Sequence, residues 1–176
     1  KFGYKATGSD FGKDAINKAR ETYGVELKQG NLQQQNILAG SLDALTSFNL
    51  ACHLYEPWIY FRHVSLLLKP KGYFLMRIGD RSGFFKKFHQ GRWGAPEHVY
   101  HFNSILLTKM LDECGLKVLW IRPAFDSDFP YFLFDYPRGN SGFLAKLAHG
   151  ICELTIRLWT FLKLPKDDIY LLAQKI

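Results

Sequence analysis

Cysteine is scarce in this chain of 176 residues: there are three, Cys52, Cys114 and Cys152. They lie too far apart in sequence for a disulfide framework or a familiar zinc spacing. Such usage fits a reducing, cytoplasmic setting. No uncharged apolar run is long enough for a membrane-spanning helix, and the first residues lack the succession of charged, apolar and small residues that marks a signal peptide. Internal repeats and low-complexity tracts are missing, so solenoids and biased tails find no support. No Gly-x-Gly triplet occurs anywhere. Acidic residues are outnumbered, 16 against 23 lysines and arginines, for a formal charge of +7. A basic balance suits an anionic partner, whether nucleic acid, a phosphorylated small molecule or an acidic membrane surface; it serves solubility equally well.

What is present suffices for one ordinary domain, spanning 1–176, with a real apolar core. Aromatics make up 16% of the residues, which favours a well-filled core or an aromatic-lined pocket. The most telling stretch is Leu66-Leu67-Leu68-Lys69-Pro70-Lys71-Gly72-Tyr73-Phe74-Leu75-Met76. It reads as a helix end, a Pro-x-Gly turn and a buried strand from Tyr73 to Ile78. Proline cannot continue the helix, and glycine is expected to supply the unusual backbone angle before the strand.

Upstream, Lys5 to Asp10 is a strand entering a helix with Ala15, Ala19 and Tyr23 as its apolar positions, and Val25 to Lys28 is a strand closed by Gly30-Asn31. Gln33 to Gly40 is a loop with a short helical turn, Leu42 to Phe48 a strand, and about Trp58 to Leu68 a helix. After Gly79-Asp80 comes a long, basic, aromatic-rich connection to Asn103. A helix follows, capped by Asn103 or Ser104, with Leu106, Leu107, Met110 and Leu111 facing the core and Gly115 at its end. Leu116 to Ile121 is the next strand, Ser127 to Ser141 a loop, Phe143 to Leu162 an amphipathic helix and Asp168 to Ala173 the last strand. This alternation implies an α/β fold with a doubly wound, Rossmann-like, mostly parallel sheet; it breaks down after Ile121, where the final helix can feed an antiparallel edge strand.

Strand, helix, Lys-Pro-x-Gly turn and strand, in that order, resemble the centre of a class I S-adenosylmethionine-dependent methyltransferase. The resemblance extends to small-molecule enzymes of the ubiquinone-biosynthesis type (methyltransferase domain type 23) and runs through nearly the whole chain. Gly8-Ser9-Asp10 matches the Gly-x-Asp/Glu that ends their second strand. Cys52-His53-Leu54-Tyr55-Glu56-Pro57 follows their Glu-His-Leu-x-x-Pro pattern, with cysteine at the position of the glutamate. Trp93-Gly94-Ala95-Pro96-Glu97-His98-Val99-Tyr100-His101-Phe102 resembles their Glu/Arg-His-Leu-Tyr-His-Phe segment. Such enzymes begin with a strand and a glycine-rich cofactor loop, neither of which is in this sequence. The intact order of the remaining elements leads us to expect an incomplete record of a longer protein rather than a domain unable to bind the cofactor.

The resemblance implies S-adenosyl-L-methionine as cofactor and methyl transfer to a small acceptor, with the basic balance suggesting an anionic one. Nucleic-acid methylation and a non-catalytic binding or scaffold module of the same fold stay open as alternatives. Asp10 ends a strand where a carboxylate can accept both ribose hydroxyls, or it caps the helix near Lys13. Gly30, Asn31 and Leu32 are placed to meet an adenine edge and face, or to form a plain turn. Phe48 and Asn49 end the strand beside the sulfonium, though Phe48 reads as well as ordinary core. His53 lies at the cofactor–substrate junction, where a near-neutral imidazole can take a proton from the acceptor or bond a neighbouring loop. Trp93, Glu97, His98, Tyr100 and His101 crowd one loop, as substrate walls and acid/base groups or as an aromatic minicore. His89, His98 and His101 fit no zinc pattern, so no metal is expected. Arg77, Arg81, Lys86, Lys87 and Arg92 form a basic run suited to a phosphate, a carboxylate, RNA or plain solvation. Trp159 and Phe161, near the end of the long helix, leave peripheral membrane contact open.

Overall fold

A computed structural model describes residues 3–80, 98–124 and 168–176. In chain order the elements are β1 (Gly8–Asp10), α1 (Lys13–Tyr23), β2 (Leu27–Gln29), a 3₁₀ turn at Leu32–Gln35, β3 (Leu42–Phe48), a 3₁₀ turn at Ala51–His53, α2 (Pro57–Leu67), β4 (Leu68–Gly79), α3 (Ser104–Glu113), β5 (Leu116–Pro123) and β6 (Asp168–Lys175). The helix expected over Phe143 to Leu162, the loop Ser127 to Ser141 and Cys152 lie outside the described residues.

The central unit is a sheet of order β3-β4-β6-β5. β3 and β4 run parallel, as a strand–helix–strand crossover requires. β6 is antiparallel to both β4 and β5. It therefore lies inside the sheet, not at the edge the sequence suggested; β5 is the edge. Order along the chain says which strands exist, whereas this insertion depends on pairing between residues nearly a hundred positions apart. β1 and β2 form a separate parallel pair, so the single sheet expected from the alternation is two sheets among the described residues.

Alternation along β4 buries Phe74, Met76 and Ile78. Their partners across the antiparallel pair are Ala173, Leu171 and Ile169, all buried on the same face. Onto that face α2 brings Tyr60, Phe61 and Val64, and α3 brings Leu107, Met110 and Leu111, in one apolar cluster. Three rings meet at its centre: Phe61 and Phe74 are edge-on with centroids 6.2 Å apart, and Tyr60 stands 5.6 Å from Phe61. Full burial of each such side chain stabilises the fold by about 1.5–3 kcal/mol. Leu106, expected inward, is 42% exposed; the backbone N–H of Leu106 instead donates to the Asn103 cap at 2.7 Å, at the helix start. In α1 the buried residue is Ile16, while Ala15 and Tyr23 are exposed and only Ala19 of the expected positions is half-buried.

The Lys69–Gly72 turn differs from expectation in an informative way. Lys71, not Gly72, takes the left-handed conformation, at φ +63°. Gly72 is needed for closeness: a Cβ there would sit 2.9 Å from Lys69 O and 3.2 Å and 3.3 Å from the carbonyls of Leu42 and Asp43. The turn is also part of the strand. Leu42 pairs with Leu68 and Ala44 with Tyr73, so the intervening residues of β4 bulge out of register. Side chains from β6 hold the bulge, with Gln174 donating to Lys71 O at 3.0 Å and Lys175 to Leu68 O at 2.8 Å.

Candidate active site

Parallel strands of an open sheet present their carboxyl ends to a ligand crevice, and the candidate residues gather at those ends. Asp10 closes β1. Its Oδ1 accepts the Gly12 N–H at 2.7 Å, and the side chain is otherwise exposed. Gly12, not Asp10, is the N-cap of α1. The carboxylate thus shapes the turn into the helix with one acceptor position and has others to offer. Gly30, after β2, donates its N–H to Asp10 O at 3.0 Å, joining the two strand ends. Its φ of +113° calls for glycine, and a Cβ there would also displace Gln34 Oε1, which lies 2.5 Å away.

Asn31 and Gln34 form a reciprocal capping box: the Asn31 side-chain oxygen accepts from Gln34 N at 3.0 Å and Gln34 Oε1 accepts from Asn31 N at 2.9 Å. That ties the Asn31 carbonyl to the 3₁₀ turn, so the plain-turn reading has a concrete basis. Leu32 is half-buried against the main apolar cluster. At the end of β3, Phe48 is 55% exposed, which removes the ordinary-core reading. Its ring meets Tyr170 edge-on at 6.5 Å. The inward residue is Ser47, because side chains alternate along a strand. Asn49 adopts φ +52° and donates its N–H to Arg77 O at 2.9 Å, fixing the exit from β3 beside β4.

From there the chain enters the 3₁₀ turn carrying Cys52 and His53. Cys52 is buried and its Sγ donates to Asn49 O at 3.5 Å; His53 is exposed. The segment 98–102 is seated on this turn. Both the Val99 and Tyr100 N–H groups donate to Cys52 O, at 2.8 Å and 3.1 Å, and the Tyr100 hydroxyl donates to Tyr55 O at 3.1 Å. A parallel bridge between Asp80 and Phe102 ties the segment to the end of β4. This anchoring brings His98 to His53, ring centroids 4.7 Å apart, with His101 6.2 Å beyond His98. Tyr100 stacks on Phe102 at 6.1 Å. The minicore and catalytic readings of the loop are therefore compatible: Tyr100 and Phe102 pin it, and its histidines face the turn after β3. Trp93, Glu97 and His89 lie outside the described residues.

Two assignments change. Arg77 is held by Asp168, its Nη2 and Nε donating to Oδ2 at 2.9 Å and 3.2 Å with both side chains partly buried. It is a strand-to-strand tie rather than a member of a substrate-facing basic run, whose other residues lie outside the described ones. Cys52, noted in the sequence only as a departure from glutamate, joins His53 and His98 in a cluster whose ligand atoms all lie within 4.8 Å of one another. Its position next to His53 was the available signal. Asp80, buried at the β4 end, was passed over in sequence because a lone aspartate after Gly79 looks like any turn residue.

Beneath the site, burial pushes the Tyr60 phenol up to about 12, with the Ser47 hydroxyl pulling the other way. Ser47 Oγ is itself buried without a partner of good hydrogen-bonding geometry, so that opposing pull is weak. Cys114 is also pushed up by burial, partly countered by Arg62.

Comparison with known proteins bears on the fold. Residues 1–76 match the family described as "Methyltransferase domain". A Mycolicibacterium smegmatis protein named "Probable S-adenosylmethionine-dependent methyltransferase" is 26% identical over 117 residues, 65% of this chain and 44% of that protein. The chain thus spans less than half the length of this curated relative. Among solved structures, an S-adenosylmethionine-dependent methyltransferase from Archaeoglobus fulgidus superposes with a TM-score of 0.64 at 12% identity, covering 98% of this chain and 77% of its own. A Haloferax volcanii protein solved in complex with the Trm112 methyltransferase activator gives the same score at 14% identity, covering 96% and 71%. At such identities the structures speak for the fold alone. In sequence over residues 1–76, and in fold, the chain is thus similar to S-adenosylmethionine-dependent methyltransferases.

Proposed function

We propose that the protein transfers a methyl group from S-adenosylmethionine to a small, anionic acceptor, with His53 and His98 managing the acceptor's proton. The observation carrying this reading is the meeting of those two imidazoles, 4.7 Å between centroids, at the carboxyl end of β3. Bound S-adenosylmethionine supplies an electrophilic methyl on positive sulfur. On the protein side, Asp10 fits a ribose: it is an exposed carboxylate at a strand's carboxyl end with acceptor capacity beyond its bond to Gly12. Phe48, exposed beside Asn49, offers an aromatic face to a positive centre. The acceptor's lone pair attacks in line, which depends mostly on positioning. An acceptor hydroxyl or acidic carbon gives up its proton as the bond forms, and His53 or His98 is in place to take it, with His101 next in line.

The anionic character of the acceptor rests on the +7 charge balance. Membrane contact through Trp159 and Phe161 rests on residues outside the described ones, and RNA on charge alone.

Turnover and S-adenosylhomocysteine affinity, measured side by side on the full-length protein, test the assignment. His98→Ala and His101→Ala are expected to lower turnover, His98→Ala by about 10²-fold or more, the scale of a general base. Cofactor affinity should change little. A loss confined to thermal stability would return that histidine to the loop minicore, and failure to bind S-adenosylhomocysteine at all would favour the non-catalytic module.

A further inference from the structure

We propose that Cys52, His53 and His98 form a binding site for a thiophilic divalent cation of the zinc type. Beyond placing Cys52 beside His53 the sequence gives no hint of it, because the third ligand lies 45 positions further on and no zinc spacing takes that form. The fold makes the connection. Cys52 O receives the N–H groups of both Val99 and Tyr100, so the residue that brings the thiol also fixes the loop that brings His98. The 3₁₀ turn is held in its own right by His53 N donating to Leu50 O at 3.0 Å. One sulfur and two imidazole nitrogens are thereby gathered with all donor atoms within 4.8 Å of one another.

A tetrahedral zinc ion with bonds of about 2.0–2.3 Å spaces its donors roughly 3.3–3.8 Å apart. The cluster therefore needs to contract by about an ångström, which turns of the exposed His53 and half-buried His98 side chains can supply. The ligand set selects the ion. Thiolate plus imidazole suits zinc and cobalt, whereas magnesium and calcium require oxygen. Three protein ligands leave a fourth position open, the arrangement of catalytic rather than structural zinc. It lies at the carboxyl end of β3, so an acceptor hydroxyl or thiol could occupy it and be polarised there. That role rests on the methyl-transfer reading, and with the ion bound the lone pairs of His53 and His98 are engaged, so the proton passes to His101 instead; the binding itself does not rest on that reading.

Cobalt is the direct probe, since thiolate ligation gives a sulfur-to-cobalt charge-transfer band in the near ultraviolet and tetrahedral geometry gives intense visible bands. Metal-free full-length protein titrated with Co²⁺ alone is expected to show both at one equivalent, with Zn²⁺ abolishing them by displacement. Cys52→Ser should remove the charge-transfer band, and His98→Ala should weaken binding at least tenfold. Cys114→Ala, at a buried thiol away from the cluster, should leave the spectrum unchanged. Absence of the charge-transfer band from the parent protein, or its survival in Cys52→Ser, overturns the site. If Cys52→Ser fails to fold, the His98→Ala titration decides: unchanged affinity there overturns it as well. Methyl transfer with and without a chelator is scored separately. Cobalt binding with chelator-insensitive turnover keeps the site and removes only its part in the reaction, whereas loss of the methyl-transfer activity altogether leaves the cobalt result standing.

Discussion

Asp10 has two duties that a pair of substitutions can separate. Its Oδ1 holds the Gly12 N–H at 2.7 Å and so turns the chain into α1. The proposal adds acceptance of two ribose hydroxyls by the remaining positions of an exposed carboxylate. Asp10→Asn keeps a carbonyl oxygen for Gly12 but removes the charge and replaces one acceptor with a donor. Hydrogen bonds to a charged group contribute about 1.5–3 kcal/mol against about 0.5–1.5 kcal/mol for neutral ones. Two weakened bonds at an exposed position give a loss of about 2 kcal/mol, or roughly 30-fold in Kd. Asp10→Ala removes the turn bond as well and should cost about 1 kcal/mol of stability, as loss of a cap does. The assay is calorimetric titration of the full-length protein with S-adenosylhomocysteine, beside thermal denaturation of each variant. Asn should bind weakly while melting near the parent, and Ala should be impaired in both. An Asn variant that binds within threefold of the parent would refute the ribose role and leave Asp10 as a turn residue.

Other expectations follow from the packing. Gly72→Ala forces a methyl to within 2.9–3.3 Å of three carbonyl oxygens and should destabilise by about 1–3 kcal/mol, read as a lower denaturant midpoint; no change would show that the bulge relaxes freely. Asp168→Ala removes a carboxylate that holds the partly buried Arg77 guanidinium and should cost about 1–2 kcal/mol, with a cost below 0.5 kcal/mol showing that the pair behaves as a surface ion pair. For Tyr60 the sign is set by which state releases its proton first. The unfolded phenol ionises near 10 while the folded one holds its proton to about 12, so folding stability attributable to Tyr60 falls as pH rises between those values. The loss is about 2–3 kcal/mol over that window, and Tyr60→Phe should lack it; parallel pH profiles for the two proteins would remove burial as the cause.

Local chemistry made much of this fold legible. β3 matched Leu42 to Phe48 at both ends, and Asn103 caps α3 as its side chain suggested. What escaped was set by contacts between distant parts of the chain. Hydrophobicity nominated Phe48 for the core, yet strand alternation turns Ser47 inward and leaves Phe48 out, because β3 is governed by which face meets α2. In α1, Ala15, Ala19 and Tyr23 follow helical spacing as well as Ile16 does, and a short helix with one buried residue offers too little pattern to decide between the two faces. The Lys-Pro-x-Gly turn was visible, but not that its glycine answers to steric pressure from the Leu42 and Asp43 carbonyls across the strand pair.

The candidate site shows the same division. Each histidine was nameable from its neighbours in sequence, but their meeting depends on one carbonyl, Cys52 O, accepting two N–H groups from a loop 47 and 48 residues away. This carbonyl belongs to the turn that follows β3, in the four-stranded sheet, whereas Asp10 belongs to the β1–β2 pair. The proposed cofactor contact and the proposed proton-handling groups thus sit on different sheets, each held by its own hydrogen bonds. Residues without shared partners contribute nearly independently. A substitution at Asp10 therefore reads cofactor binding without disturbing the histidine pair, and one at His98 reads acceptor chemistry or metal binding without loosening the turn into α1.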